Sequence, residues 1–284
     1  MGIVTFECNI EMINYNGKLL TSENLIHLSI NRGFSFGDGL FETIIASQSI
    51  VYHFDYHWLR LSEGANTLGI VLPFTQTRLL KEILNTIGKQ QKEDALFRIK
   101  LQVWRQGAGK YSPESEESNY MIHCSSFNGA QSLQHQKVGI CRSVKLIPSS
   151  ISRLKTLSAL NYVMAAKEKQ DRQLEEIMLL NHKDEIVEAG AANLFFYDLK
   201  EKKFMTPSLN DGCVNGTIRK SLLNILSEQG YRVEERSLQL DDLHENLCLY
   251  TCNVASIGEV LQTEGQTLGR DQEIFQLIRE VLPY

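Results

Sequence analysis

The stretch SRLKTLSALNYVMAAKEKQ, residues 152–170, carries three lysines, and the first of them decides the reading of the chain. Lys167 and Lys169 stand in the polar run KEKQDRQ, where a helix turns its side chains to water. Lys155 follows the strand-like segment KVGICRSVKLI and stands at the start of a helix expected over residues 157–169, with Leu157, Leu160 and Met164 facing inward. Taken alone, a lysine at a strand–helix boundary is a solvated surface residue. A chemical role depends on the groups that the rest of the chain brings to it.

Three segments supply such groups. In IVEAGAANLFFY, Glu188 lies on a strand between Val187 and Ala189. A carboxylate among small and apolar neighbours is costly unless it meets a cation, either a salt-bridge partner or a protonated heterocycle. VNGTIRKSLLNIL starts a helix at Gly216, Thr217 and Ile218, where bare amides and a hydroxyl make an anion site. The ordinary alternative there is an N-cap by Asn215. HFDYHWLRLSEGANTLGI carries Arg60 on a helix whose apolar face includes Trp58, Leu61 and Leu68. A planar guanidinium suits a phosphate, although a surface arginine is the simpler reading. Lysine, carboxylate, helix start and arginine are together what pyridoxal 5'-phosphate requires. The lysine forms the Schiff base, the carboxylate keeps the ring nitrogen protonated, and the last two hold the phosphate.

NRGFSFGDGLFET, residues 31–43, resembles the signature of the fold-type IV (class IV) pyridoxal-phosphate enzymes. That family includes branched-chain and D-amino-acid aminotransferases and aminodeoxychorismate lyases. HWLRL, LKTLSALNY, EAGAANLFFY and VNGTIR follow in the family's order and spacing, from about Ile13 to the C-terminus. The resemblance implies an α+β fold of two domains with the cofactor in the cleft between them, and a homodimer whose neighbouring subunit completes the pocket. It makes Lys155 the Schiff-base lysine and proton shuttle, and turns Glu188 to the pyridine nitrogen. It gives the phosphate to Arg60, to the backbone of Gly216, Thr217 and Ile218, and to the side chain of Thr217 or Asn253. Asn193 resembles the family's structural asparagine, Phe41 would line the substrate pocket, and Arg105 matches an arginine near the substrate carboxylate. Departures from the pattern are Ser158, where the family often has asparagine, and Leu160, where branched-chain aminotransferases carry tyrosine. Asn253 stands where the latter carry threonine. The pair Glu42–Thr43 is common among aminotransferases of the class, whereas VNG before Thr217 and the pair Cys252–Asn253 resemble the lyases.

Bulk properties agree with a small-molecule enzyme. The 284 residues suggest two domains. A net charge of −5 without a lysine or arginine run disfavours a nucleic-acid surface. No run of 18 apolar residues crosses a membrane, no signal peptide is visible, and Phe6 breaks the myristoylation pattern, so the chain is expected in the cytoplasm. The six cysteines form no CxxC pair and read as reduced thiols without a metal. GAGK at residues 107–110 fails the phosphate-loop pattern, with Trp104 and Tyr111 at positions that need glycine and serine or threonine.

Periodicity outlines the organisation. An N-terminal α+β domain spans residues 1–125, with a helix over 75–90 capped by Thr75 or Thr77. It also holds the strand ALFRIKLQVW, with Phe97, Ile99, Leu101 and Val103 on one face. The polar segment 126–136 reads as the linker. The C-terminal domain, 137–284, contains a hairpin turning at 181–184, the strand ANLFFYD, a helix stopping at Gly230 and the closing helix RDQEIFQLIREVL. The leading activity is transfer of an amino group between an amino acid and a 2-keto acid. The alternative is cleavage of aminodeoxychorismate to pyruvate and 4-aminobenzoate, with the same lysine taking the same proton. A non-catalytic protein on this fold is the third reading, and the presence of Lys155, Glu188 and Arg60 together argues against it.

Overall fold

The computed structural model describes residues 12–21, 31–90, 95–107 and 109–284. The N-terminal half holds β1 (Met12–Tyr15), β2 (Lys18–Thr21), α1 (Arg32–Phe36), β3 (Gly39–Ala46), α2 (Phe54–Leu68), α3 (Gln76–Gly88), β4 (Leu96–Arg105) and β5 (Ser118–Phe127). Its strands form one antiparallel sheet in the order β2-β1-β5-β4-β3. Alternation along β4 buries Phe97, Ile99, Leu101 and Val103 on one face. Leu79, Ile83 and Ile87 of α3 join them in the same core. Thr75 caps α3 by accepting the Arg78 amide.

The C-terminal half holds β6 (Gln131–His135), β7 (Val138–Ile140), α4 (Leu160–Asp171), β8 (Glu176–Leu180), β9 (Glu185–Ala189), β10 (Asn193–Asp198) and β11 (Lys203–Thr206). It continues with α5 (Thr217–Glu228), β12 (Arg232–Glu235), β13 (Leu238–Gln239), β14 (Leu247–Asn253), β15 (Ser256–Val260), β16 (Gln262–Thr263), β17 (Gln266–Thr267) and α6 (Gln272–Arg279). Two sheets form, β12-β11-β10-β14-β15-β6 and β13-β9-β8-β7-β16-β17. Period two in β10 and β8 explains the layering. Phe195 and Tyr197 pack under α5 and α6. Leu194 and Phe196 meet Met178 and Leu180 between the sheets. Ile177 and Leu179 face Ala165 of α4. The resulting order is helices, sheet, sheet, helix.

Three expectations need correction. The segment read as a linker contains β6, which pairs in parallel with β15 more than a hundred residues later. Its partner, and not its polar sequence, makes it a strand. The segment KVGICRSVKLI is strand only over β7. The helix expected from residue 157 begins at Leu160, because residues 155–157 instead run beside β3. The Phe41 amide donates to the Lys155 carbonyl and the Leu157 amide to the Gly39 carbonyl, both at 2.9 Å. Consequently Leu160 and Met164 do not face inward: they are 74% and 45% exposed, and Ala165 is the buried residue of α4. Cys248 and Cys252 share a buried face of β14 as free thiols, while Cys8 lies outside the described residues. No described helix is long and apolar enough to cross a membrane.

Candidate active site

Lys155 sits in the segment that ties the C-terminal half to β3. Its amine stands 4.5 Å over the centre of the Phe41 ring. Among the described residues none accepts a hydrogen bond from it. Loss of water, then repulsion by Arg60, brings its pKa from 10.5 down to about 8 against the attraction of Glu42 and Glu188. Lys167 and Lys169 behave differently: they pair with Asp171 and Glu176 near the surface.

Glu188 lies on β9 at 3% exposure. Its Oε1 accepts the Tyr162 hydroxyl at 2.7 Å, and its Oε2 accepts the Val214 amide at 3.2 Å and the Asn193 side-chain amide at 3.5 Å. Burial pushes this carboxyl from 4.5 up to about 7, and the Tyr162 and Val214 donors with the Lys155 charge keep it from rising further. Asn193 also donates to the Val214 carbonyl at 2.8 Å, which locks the loop before α5 against β10. Tyr162 is the residue that sequence reasoning missed. Five residues after the lysine, where the sequence departs from the branched-chain pattern, stands Leu160. The phenol comes from position 162 because α4 starts late. The signal was present in LKTLSALNY, but the register of the helix was not.

The start of α5 lies against this carboxylate. Gly216 is the N-cap and has no side-chain cap, so Asn215 does not cap the helix with its side chain. Instead the Asn215 amide donates to the Arg153 carbonyl at 2.9 Å. A Cβ on Gly216 would stand 1.8 Å from Asn193 Oδ1, so only glycine fits. First-turn amides such as those of Thr217 and Ile218 have no acceptor within their helix. Both side chains are buried, that of Ile218 in the core under the sheet.

Arg60 is 8% exposed, on a buried stripe of α2 that also contains Phe54, His57, Leu61, Gly64 and Ala65. Its Nε donates to Glu42 Oε1 at 2.7 Å, its Nη2 to Glu42 Oε2, and its Nη1 to the Asn215 carbonyl at 3.2 Å. His57 Nδ1 lies 2.7 Å from Glu42 Oε2. Burial pushes Glu42 up, but Arg60 and His57 outweigh it and leave the carboxyl at about 2. Burial also lowers the His57 pKa, so the ring is neutral. A further tie between the halves, from Asn224 of α5 to the Tyr56 hydroxyl of α2 at 2.9 Å, holds the two helices together.

Hydrogen bonds thus join Glu188 and Arg60 to the residues just before α5, and Lys155, held over Phe41, lies within electrostatic reach of both. Arg105 and Asn253 are committed elsewhere. Arg105 donates to Asp38 at 3.0 Å and to the carbonyls of Gly69 and Leu68 at 2.7 and 2.5 Å, which fixes the end of α2. Asn253 donates to the Ala191 carbonyl at 3.2 Å and accepts the amides of Ala255 and Ser256, which shapes the β14–β15 turn.

Comparison with known proteins bears on this arrangement. The family model described as amino-transferase class IV matches residues 39–260. D-alanine aminotransferase of Bacillus licheniformis is 26% identical over 262 residues, covering 90% of this chain and 89% of that protein. Aminodeoxychorismate lyase of Vibrio harveyi is 28% identical over 229 residues, covering 78% and 82%. Branched-chain aminotransferase from Thermoproteus uzoniensis, solved with norvaline, superposes with a TM-score of 0.85 at 22% identity, over 95% of this chain and 93% of that one. At that identity the likeness speaks for a shared fold.

Proposed function

We propose, because the chain belongs to the amino-transferase class IV family, that it is a pyridoxal-phosphate enzyme moving an amino group between an amino acid and a 2-keto acid. The observation that carries this reading is Lys155, an amine without a hydrogen-bond acceptor among the described residues, held over Phe41 with its pKa at about 8. The donor set around it fits the cofactor. Lys155 offers the attachment point, Glu188 a buried carboxyl matched to a ring nitrogen, and the first turn of α5, at Thr217 and Ile218, amides open to a phosphate.

Pyridoxal phosphate, when bound, supplies a sink for the electron pair left at the substrate Cα. Lys155 Nζ, neutral at lower pH than free lysine, takes the Cα proton and returns it. Glu188 would serve as the hydrogen-bond partner of the ring nitrogen, and Tyr162 orients its Oε1. Thr217 and Ile218 would bind the phosphate with their amides, whereas the Gly216 amide, which the sequence also offered, already donates to the Val214 carbonyl at 2.9 Å; Arg60 turns Nη1 toward this helix start. Thr217 supplies the hydroxyl for that group in preference to Asn253, whose side chain is committed to its turn. Phe41 packs beside the substrate. Arg105 would have to leave Asp38, Leu68 and Gly69 to meet a substrate carboxylate, and its role in this proposal is to brace α2.

The second reading, cleavage of aminodeoxychorismate, is favoured by the 28% identity to the Vibrio harveyi lyase. The same lysine takes the same proton, and the products are pyruvate and 4-aminobenzoate. We place the enzyme in the cytoplasm as a homodimer acting on amino and keto acids. Leu160, Val163 and Met164, 74%, 58% and 45% exposed, make an apolar stripe on α4 that supports such an association.

Borohydride reduction of the loaded protein followed by peptide mapping tests the site: the pyridoxyl label is expected on Lys155, and a label on another lysine refutes the assignment. Incubation with L- and D-amino acids and with aminodeoxychorismate then separates the two reactions.

A further inference from the structure

Glu42 and His57, with Arg60, make an enclosed cluster of ionisable groups next to the proposed site. Glu42 of β3 is 1% exposed and His57 of α2 is 2% exposed, one helical turn before Arg60. Both oxygens of Glu42 are occupied: Oε1 by Arg60 Nε, Oε2 by Arg60 Nη2 and His57 Nδ1. Because that carboxyl is ionised, His57 Nδ1 carries the proton and donates it. The other ring nitrogen, Nε2, is buried with no partner among the described residues. The histidine is therefore placed for its bond to Glu42, since an apolar ring would fill the space without an orphaned nitrogen.

A guanidinium is a rigid plane. Gripping its Nε–Nη2 edge with a carboxylate fixes the direction of Nη1. Here Nη1 points at Asn215, the residue before the N-cap of α5. Desolvating such an ion pair is unfavourable, so its presence speaks for geometry more than for stability. Two accounts of Glu42 then differ in sign. If only charge mattered, a carboxylate next to a phosphate site would weaken anion binding, and its removal would strengthen it. If direction matters, removal frees the arginine to swing and weakens binding.

We propose that Glu42 and His57 are positioning residues that hold Arg60 with its Nη1 edge turned to the start of α5, so that it completes the site for a phosphate monoester. The inference rests on the cofactor reading above. Its test compares calorimetric affinities of the full chain for pyridoxamine 5'-phosphate and for pyridoxamine. Their ratio isolates the phosphate contribution. Glu42→Gln is expected to lower that ratio by about tenfold or more, the loss of one hydrogen bond to a charged group. In an Arg60→Ala background the same change is expected to have no further effect. An unchanged or increased ratio in Glu42→Gln overturns the proposal. If Glu42→Gln does not fold, His57→Phe decides the matter: a lower ratio that disappears in the Arg60→Ala background supports the brace, and an unmoved ratio overturns it. A wild-type chain that binds neither ligand overturns the cofactor reading instead, so the two failures are distinguishable.

Discussion

Glu188 gives the cofactor-free protein a pH dependence of known sign. Its carboxyl has a pKa of about 7 in the folded chain because burial disfavours the anion, against 4.5 when exposed. Between those values the folded state holds a proton that the unfolded chain has released. The stability tied to this proton is fully present below pH 4.5 and is lost as pH rises through 7. The span is 7 − 4.5, or 2.5 units. At ~1.36 kcal/mol per unit this amounts to about 3 kcal/mol. Because Glu188 is 3% exposed, solvent screening does not reduce it much. Glu188→Gln removes the titration and leaves every other group in place. Urea unfolding of both proteins without cofactor, followed by circular dichroism at a series of pH values, yields the difference in unfolding free energy. The wild type is expected to lose about 3 kcal/mol relative to the variant between pH 4.5 and 7. A difference that stays constant within about 1 kcal/mol, or that changes in the wild type's favour as pH rises, refutes the reasoning.

Lys155→Ala is expected to abolish the visible absorbance of bound pyridoxal and nearly all turnover, whereas Lys167→Ala and Lys169→Ala change unfolding free energy by no more than about half a kcal/mol. Tyr162→Phe removes a donor that lowers the Glu188 pKa, so the acidic limb of the pH–rate profile should move to higher pH and the maximal rate should fall by about tenfold. An unmoved limb would mean that the phenol does not act through Glu188. Val163→Glu places a charge in the exposed apolar stripe of α4 and should shift the protein from dimer to monomer in light scattering. A wild-type monomer would refute the dimer at once.

Local patterns were enough for much of the fold. Thr75 and the stripe Leu79, Ile83 and Ile87 specify α3, and the alternation of Phe97, Ile99, Leu101 and Val103 specifies β4, since each needs only residues a few positions apart. The hairpin turn at residues 181–184 and the stop of α5 before Gly230 were legible for the same reason. So were the candidate lysine, carboxylate and glycine-led helix start, each contained in one short motif. Other features depended on partners far along the chain. Segment 131–135 is a strand because β15 is beside it, and α4 starts at Leu160 because Lys155 and Leu157 bond to β3. That shift brings Tyr162, not residue 160, to Glu188. Arg60, which reads as a surface arginine, is enclosed because Glu42, eighteen residues earlier, supplies the counter-charge that burial demands. Periodicity reports which face of an element is apolar. The charge, donor or strand edge that meets it comes from another part of the chain, and only the folded structure brings the two together.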